Sequence, residues 1–484
     1  MSVNNRKVAK NIIFSALSEG SNVFLFLLLI MAARYLGDVE FGKYCFALSF
    51  VNLFMMLGDW GVSYSTTIQI SRDRSTAKFF LGNLLGLQAA TGILIFSLIA
   101  FLAWILKLSP NIKLILYLQT FVLIAKTYKI GFRWMFKAFE RFDLEAFTLL
   151  IERSANFFVG LCVLIAWGQK ALVPFVATFL VVKIADAILS GFILKFKVIF
   201  SRPRFQPAEW LRLVRNGLPF VIAYTLQHVF FQIDTIMLKL ITTNAEVGWY
   251  NAPFRIIEGL LVVPCVISYA LIPTLSQAHL ISRESVTGLF RRGSKYMLLM
   301  SIPLILFVWT FTETLILRIF GAQYLPAVPV FRILITSTAF IFISHLSTTV
   351  LYCIDRQKYV IWASIASVFV NIILNAILIP RYGILGAGSA TFVTQALFVM
   401  LTLIILRKLD YKLKWPGILW KPITGGIACA GVFFFTHNWG LFLSTITAGI
   451  SYLIVLTLLG TWDTNEIEII KGLATSLQMK RKSS

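Results

Sequence analysis

Apolar runs of about twenty residues, each closed by charge, proline or glycine, recur along the chain from residue 8 to residue 460. A helix of that length crosses a hydrocarbon core of about 30 Å. With the polar breaks as punctuation, the pattern predicts about fourteen helices. They fall near 8–35, 40–69, 79–106, 112–136, 143–167, 172–198, 216–241, 247–276, 289–313, 326–352, 358–379, 384–407, 416–437 and 440–460. The expected fold class is an all-α membrane protein, and no stretch remains for a sizeable soluble domain.

Composition agrees. Hydrophobic residues make up 58% of the 484, charged residues 13%, and the mean hydropathy is +0.83; soluble domains carry about 25% charged residues. The basic start, Arg6, Lys7 and Lys10, followed by an apolar stretch, has the outline of a signal peptide. That stretch is too long for a signal core and reads as the first span. The five cysteines lie in apolar segments and form no CxxC pair, so they read as free, buried thiols without disulfide or metal roles.

The net charge of +23 raises the question of nucleic acid, but the basic residues are scattered through short loops. Membrane topology accounts for them, and no nucleic-acid partner is expected. With the N-terminus in the cytoplasm, Arg72, Arg74, Lys137, Arg202, Arg212 and Arg291 fall inside. The opposite side keeps only a few, such as Lys107, Lys170 and Arg381. The positive-inside rule and the even helix count therefore place both termini in the cytoplasm of a multi-pass protein of the cell (inner) membrane.

The longest inside connection, KFKVIFSRPRFQPAEWLRLVR at 195–215, lies near the midpoint and looks like a link between halves. EFGKY at 40–44 returns as EVGWY at 246–250, a shift of 206 residues. Each copy opens an inward-running helix after a short outside turn. Six helices separate the copies, so the halves enter the membrane in one orientation, related by a pseudo-twofold axis along its normal. The expected organisation is an N-lobe at 1–199, a cytoplasmic linker at 200–215 and a C-lobe at 216–407. Two further helices at 408–460 and a cytoplasmic tail at 461–484 follow. Two six-helix lobes would surround a central cavity.

Three stretches, ARYLGDVEFGKYCFALSF, QIDTIMLKLITTNAEVGWYNAPFRI and LNAILIPRYGILGAGSATF, together resemble the polysaccharide flippases of the multidrug/oligosaccharidyl-lipid/polysaccharide exporter superfamily. The likeness covers nearly the whole chain. It implies alternating access by two lobes, which move an undecaprenyl-diphosphate-linked oligosaccharide from the cytoplasmic to the outer leaflet. Membrane lipids and glycan polymerases or glycosyltransferases are the partners it implies. Drug exporters share the architecture, so fold alone does not choose between them.

A charge at bilayer depth costs several kcal/mol and should face protein or a wet cavity. Arg255 lies eight residues beyond an outside turn, about 12 Å deep at 1.5 Å per residue. Glu258 follows by one turn. They form either a self-neutralising i,i+3 pair or a cavity cation for the diphosphate, held by Glu258 until substrate competes. Lys126, Lys129, Arg133 and Lys137 share one face of the fourth helix. Rising from the cytoplasmic mouth, this row would draw a diphosphate inward, with Lys126, Lys129 and Arg133 as candidate substrate-binding cavity cations. Arg133 and Lys137 can instead snorkel to the interface, whereas Lys126 is too deep for that and is expected to face a cavity. Arg34 and Arg332 stand near helix ends, where anchoring and substrate contact are equally open.

Among the acids, Glu152 adjoins Arg153 and Asp186 follows Lys183 by three, so pairing within each helix is expected. Asp59 and Asp234 have no well-placed cation on their own helices and are candidates for a proton or sodium site or a gate. No cofactor and no metal site is expected; coupling would come from a proton or sodium gradient or the membrane potential. No GxxxxGK[ST] motif is present, which argues against ATP hydrolysis. A membrane enzyme would need catalytic groups at an outside surface, and the outside connections are only a few residues long. No catalytic residue is expected.

Overall fold

The computed structural model describes residues 14, 17, 18 and 20–462, without the side chains at 64, 68, 216, 218–224, 227 and 228. The start of the first span at residue 8, the basic N-terminus and most of the 461–484 tail lie outside the described residues. Among them every regular element is helical.

The α-helices in chain order are α1 (Asn22–Asn52), α2 (Met55–Asp59), α3 (Val62–Arg72), α4 (Ala77–Ile105), α5 (Pro110–Ala138), α6 (Phe142–Trp167), α7 (Leu172–Lys197), α8 (Pro207–Ile241), α9 (Asn244–Leu260), α10 (Val262–Ile281), α11 (Arg283–Ile319), α12 (Val328–Cys353), α13 (Gln357–Lys408), α14 (Trp415–Thr436) and α15 (Leu441–Leu458). Among the described residues ten apolar helical stretches are long enough to cross a bilayer, and two of them, 142–197 and 357–408, are long enough for two spans each.

Where continuous helices and expected spans differ, the backbone gives the reason. Gly37, at φ 80° and ψ 169°, turns the chain inside α1 and separates the first span from the second. Gly383, at φ 54°, does the same inside α13. Both take a left-handed φ that costs glycine little. The second span is itself broken twice, at 53–54 and at Trp60 and Gly61, both with positive φ. The eighth breaks between α9 and α10, three residues before Pro264, whose nitrogen has no proton for the Leu260 carbonyl.

By packing, the chain divides into two compact units. One holds the described residues up to Gly259 with Ile316–Phe331 and Ile361–Thr394. The other holds Leu260–Leu315, Arg332–Val360 and the described residues from Gln395 onward. In the second, Phe290, Met297, Phe342, Leu346 and Leu406 form a buried apolar core.

The first unit contains both copies of the repeated pentapeptide, and their glycines meet. A Cβ on Gly42 would lie 1.8 Å from the Asn244 carbonyl oxygen, and one on Gly248 would lie 2.1 Å from that of Asp38. Asp38 and Asn244 are separated by the same 206 residues as the glycines, so the contact is reciprocal. Each copy gives up its side chain to admit the backbone of the other. Around it, the Trp249 indole donates to Asp38 Oδ2 and the Gln323 carbonyl, both at 2.9 Å, and the Tyr324 hydroxyl donates to the Ala33 carbonyl at 2.8 Å.

The five cysteines are free. Cys45 and Cys429 are buried, but Cys162 is exposed, so the sequence expectation of buried thiols fails there. On a membrane-spanning helix an exposed apolar position faces lipid, which the sequence pattern does not distinguish from protein.

Candidate functional site

Within the first unit a cavity of about 770 Å³ opens among α1, α2, α5, α6 and α7. Its apolar wall includes Leu25, Leu29, Leu48, Met55, Leu123 and Phe179; its charged side chains are mostly basic. Lys126, Lys129, Arg133 and Lys137 line it from α5, Arg153 from α6 and Lys183 from α7. The 3,4 spacing on α5 produces that row, because residues three and four apart lie on one helical face.

Most of these cations are matched across helices. Lys129 is only 3% exposed and sits between two carboxylates, Glu152 of α6 and Asp186 of α7, the latter at 2.6 Å. Lys183 shares Glu152. Arg133 donates to Glu145 from Nε at 3.0 Å and Nη2 at 2.7 Å, and Lys137 approaches the same oxygen at 3.3 Å. Arg153 donates to the Ser18 carbonyl and to Ser21 Oγ, the latter at 2.7 Å.

This corrects the expected in-helix pairing. Glu152 is taken by Lys129 and Lys183, and Asp186 by Lys129, because the packed neighbours bring opposite charges closer than the helix's own next turn does. Among the described residues Lys126 has no carboxylate within ion-pair distance; its Nζ reaches only Met55 Sδ, at 3.5 Å. Six basic side chains line the cavity, with Glu145, Glu152, Asp186 and Asp59 as the acids on or behind its wall. Among the described residues Lys126 is the cavity lysine for which no ion pair is seen. Asp59, at the end of α2, also lines the cavity and accepts from the Ser63 hydroxyl.

The remaining candidates lie apart. Arg255 Nη1 pairs with Glu258 at 2.7 Å, beside Tyr44 and Cys45 of α1; Tyr44 lines the cavity, whereas Arg255 does not. Arg34 donates to the carbonyls of Arg318 at 2.5 Å and Ile319 at 3.4 Å, capping the end of α11. Arg332, in the second unit, stacks over the Trp309 ring at 5.3 Å.

Asp234 of α8 is buried, and among the described residues it has no cation partner. Its Oδ2 accepts from the Tyr250 hydroxyl at 2.8 Å and from Thr391 at 2.6 Å, and its Oδ1 accepts from Asn375 Nδ2 at 2.5 Å. Asn375 Nδ2 also donates to Asn371 Oδ1 at 3.0 Å, and Asn375 Oδ1 is buried without a partner. The sequence reading missed Tyr250 and Thr391 at this site, and Lys183, Arg153 and Glu145 at the cavity. Polar residues at helical spacing within otherwise apolar runs, such as Asn371 and Asn375, were the available signal.

A helical membrane domain with a cationic cavity has the build of a transporter. The chain belongs to the family described as polysaccharide biosynthesis protein, which matches residues 8–279, and the MatE family matches 219–377. Agl15 of Haloferax volcanii, a probable low-salt glycan biosynthesis flippase, is 22% identical over 243 residues, 50% of this chain and 51% of Agl15. The succinoglycan biosynthesis transport protein ExoT of Rhizobium meliloti is 24% identical over 343 residues, 69% of this chain and 67% of ExoT. The chain thus spans about half the length of Agl15 and two thirds of ExoT. The structure of the lipid II flippase MurJ in an inward closed conformation has a TM-score of 0.77 at 15% identity, covering 93% of this chain and 98% of MurJ. That likeness shows the fold, an all-α bundle of membrane-spanning helices.

Proposed function

We propose that the protein is a flippase that carries a lipid-linked oligosaccharide, of the undecaprenyl-diphosphate type, from the cytoplasmic to the outer leaflet of the cell membrane. The observation that carries this reading is the unmatched positive charge at Lys126 in a deep, partly apolar cavity. A half-buried ammonium without a carboxylate is costly at membrane depth unless an anion visits it, and a diphosphate supplies one. The names of Agl15 and ExoT point the same way. A multidrug exporter on this fold is the alternative, but organic cations would be repelled by the same lysine.

On this reading both termini are cytoplasmic and the halves at 1–199 and 216–407 exchange access between the two sides. Glycosyltransferases and a polymerase would supply and consume the substrate. An inside-negative potential assists the outward movement of anionic charge by about 2.3 kcal/mol per charge per 100 mV. Asp234 is the candidate for a coupling proton or sodium ion. One carboxylate with hydroxyl and amide oxygens, including the unpartnered Asn375 Oδ1, suits a small monovalent cation. Asp234→Asn is expected to remove the response of transport to an imposed proton or sodium gradient in proteoliposomes; an unchanged response would exclude that role.

The test of the central reading is Lys126→Ala in the native host at matched membrane expression. Surface glycan should fall, Arg at this position should restore it, and Gln should not. Normal glycan with Gln would remove the charge from the mechanism.

A further inference from the structure

The connection between α7 and α8 is not a slack tether. Residues 82–86 of α4 read GNLLG, and the two glycines form a notch that the connection fills with backbone. A Cβ on Gly86 would lie 2.0 Å from the Arg204 carbonyl oxygen, and one on Gly82 would lie 2.8 Å from that of Arg202. The Arg204 amide donates to the Gly82 carbonyl at 2.8 Å, and the buried Asn83 amide donates to Gln206 at 3.2 Å. Beyond it, Trp210 and Leu213 at the start of α8 pack with Val62, Leu84 and Leu87. The strap is thus clamped on both sides of Pro207.

What this clamp presents outward is a mixed basic and apolar surface. Phe205 is 66% exposed, Leu211 72%, and Phe200 is also exposed. Arg202, Arg204, Arg212 and Arg215 are exposed among them. From 195 to 215 there are six basic residues and one acid, Glu209, which reaches Arg212 only at 3.9 Å. Topology alone asks that a loop carry positive charge; it does not ask that the loop be pinned with aromatic and leucine side chains beside its arginines. Basic clusters flanking a membrane helix, with apolar residues to enter the interface, recognise anionic lipid.

We propose that this strap is a docking surface for anionic phospholipid headgroups. The arginines hold the phosphates while Phe200, Phe205 and Leu211 enter the acyl boundary. Since the strap is keyed into α4 and continues into α8, the bound lipid also fixes the connection on which both helices depend.

The test reconstitutes the full chain in nanodiscs of equal phosphatidylglycerol and phosphatidylcholine, with each lipid spin-labelled in turn. The immobilised fraction reads preference at the protein surface. Wild type should prefer phosphatidylglycerol, and high salt should weaken that preference. The variant with Arg202, Arg204, Arg212 and Arg215 all changed to Gln should lose it, by roughly fivefold in affinity per arginine, and the four-Lys variant should keep it. Should the four-Gln chain not fold, Arg212→Gln with Arg215→Gln, both at exposed sites, takes its place. Equal preference in wild type and the Gln variant overturns the proposal, as does a wild type without preference.

Discussion

Lys129→Met should lower the stability of the first unit by about 3–5 kcal/mol, the usual cost of removing one partner from a buried ion pair. Lys129 is the ammonium between Glu152 and Asp186. All three are almost fully buried, so its loss leaves Asp186 without its ion-pair partner. At roughly 2–4 °C per kcal/mol for a domain of this scale, the melting temperature in detergent should fall by about 10 °C. Asp186→Asn in the same chain should restore part of the loss. An unchanged melting temperature for Lys129→Met would show that the acids find other partners. Lys126→Met supplies the contrast, since it strands no carboxylate: it should leave melting unchanged while transport falls. Together the two lysines would separate the structural cation of the cavity from the one proposed to meet substrate.

The second large effect is expected at the repeat. Gly42→Ala or Gly248→Ala places a methyl group inside contact distance of a backbone carbonyl that no rotamer change can move. Overpacking of this kind costs about 1–3 kcal/mol, and here it would push α1 and α9 apart at their crossing. Each variant should melt lower, and the proposed transport should fall strongly at matched expression, because the Trp249 and Tyr324 hydrogen bonds close to the crossing need the same approach. Gly288→Ala, where nothing lies within 4 Å of the added carbon, is the control and should be neutral or slightly stabilising. Wild-type melting in Gly42→Ala would show that α1 and α9 separate without cost.

Much of the fold was legible because crossing a membrane imposes a length on each apolar run, and charge punctuates those runs without ambiguity. Within the described residues the expected spans have helical counterparts, roughly in the number expected. Gly37 and Gly383 only decide whether two of them count as one continuous element. The double break at 53–61 was not legible: Met55 to Asp59 reads as ordinary helix, and the left-handed Trp60 has no local sequence mark.

The site was legible in residue type but not in partnership. The row from Lys126 to Lys137 could be read off because helical periodicity puts it on one face. Whether each lysine met a carboxylate could not, since Glu145, Glu152 and Asp186 arrive from other helices. Arg255 and Glu258 are an adjacent pair both in sequence and in space, because an i,i+3 contact is local. Asp234 stood out in sequence as an acid without a cation, but its partners Asn375 and Thr391 lie more than a hundred residues away.

The sequence by itself determined that the chain crosses a membrane many times as helices, that a pentapeptide recurs after 206 residues, and which few charges lie at depth. Each follows from local length, periodicity and the cost of charge in hydrocarbon. Only the tertiary structure decided that the two glycines of the repeat admit each other's backbone, that Lys129 is spent on two acids while Lys126 is left over, and that the basic strap is pinned in the α4 notch. Those are matters of which faces meet, and that is set by packing over distances the local pattern does not record.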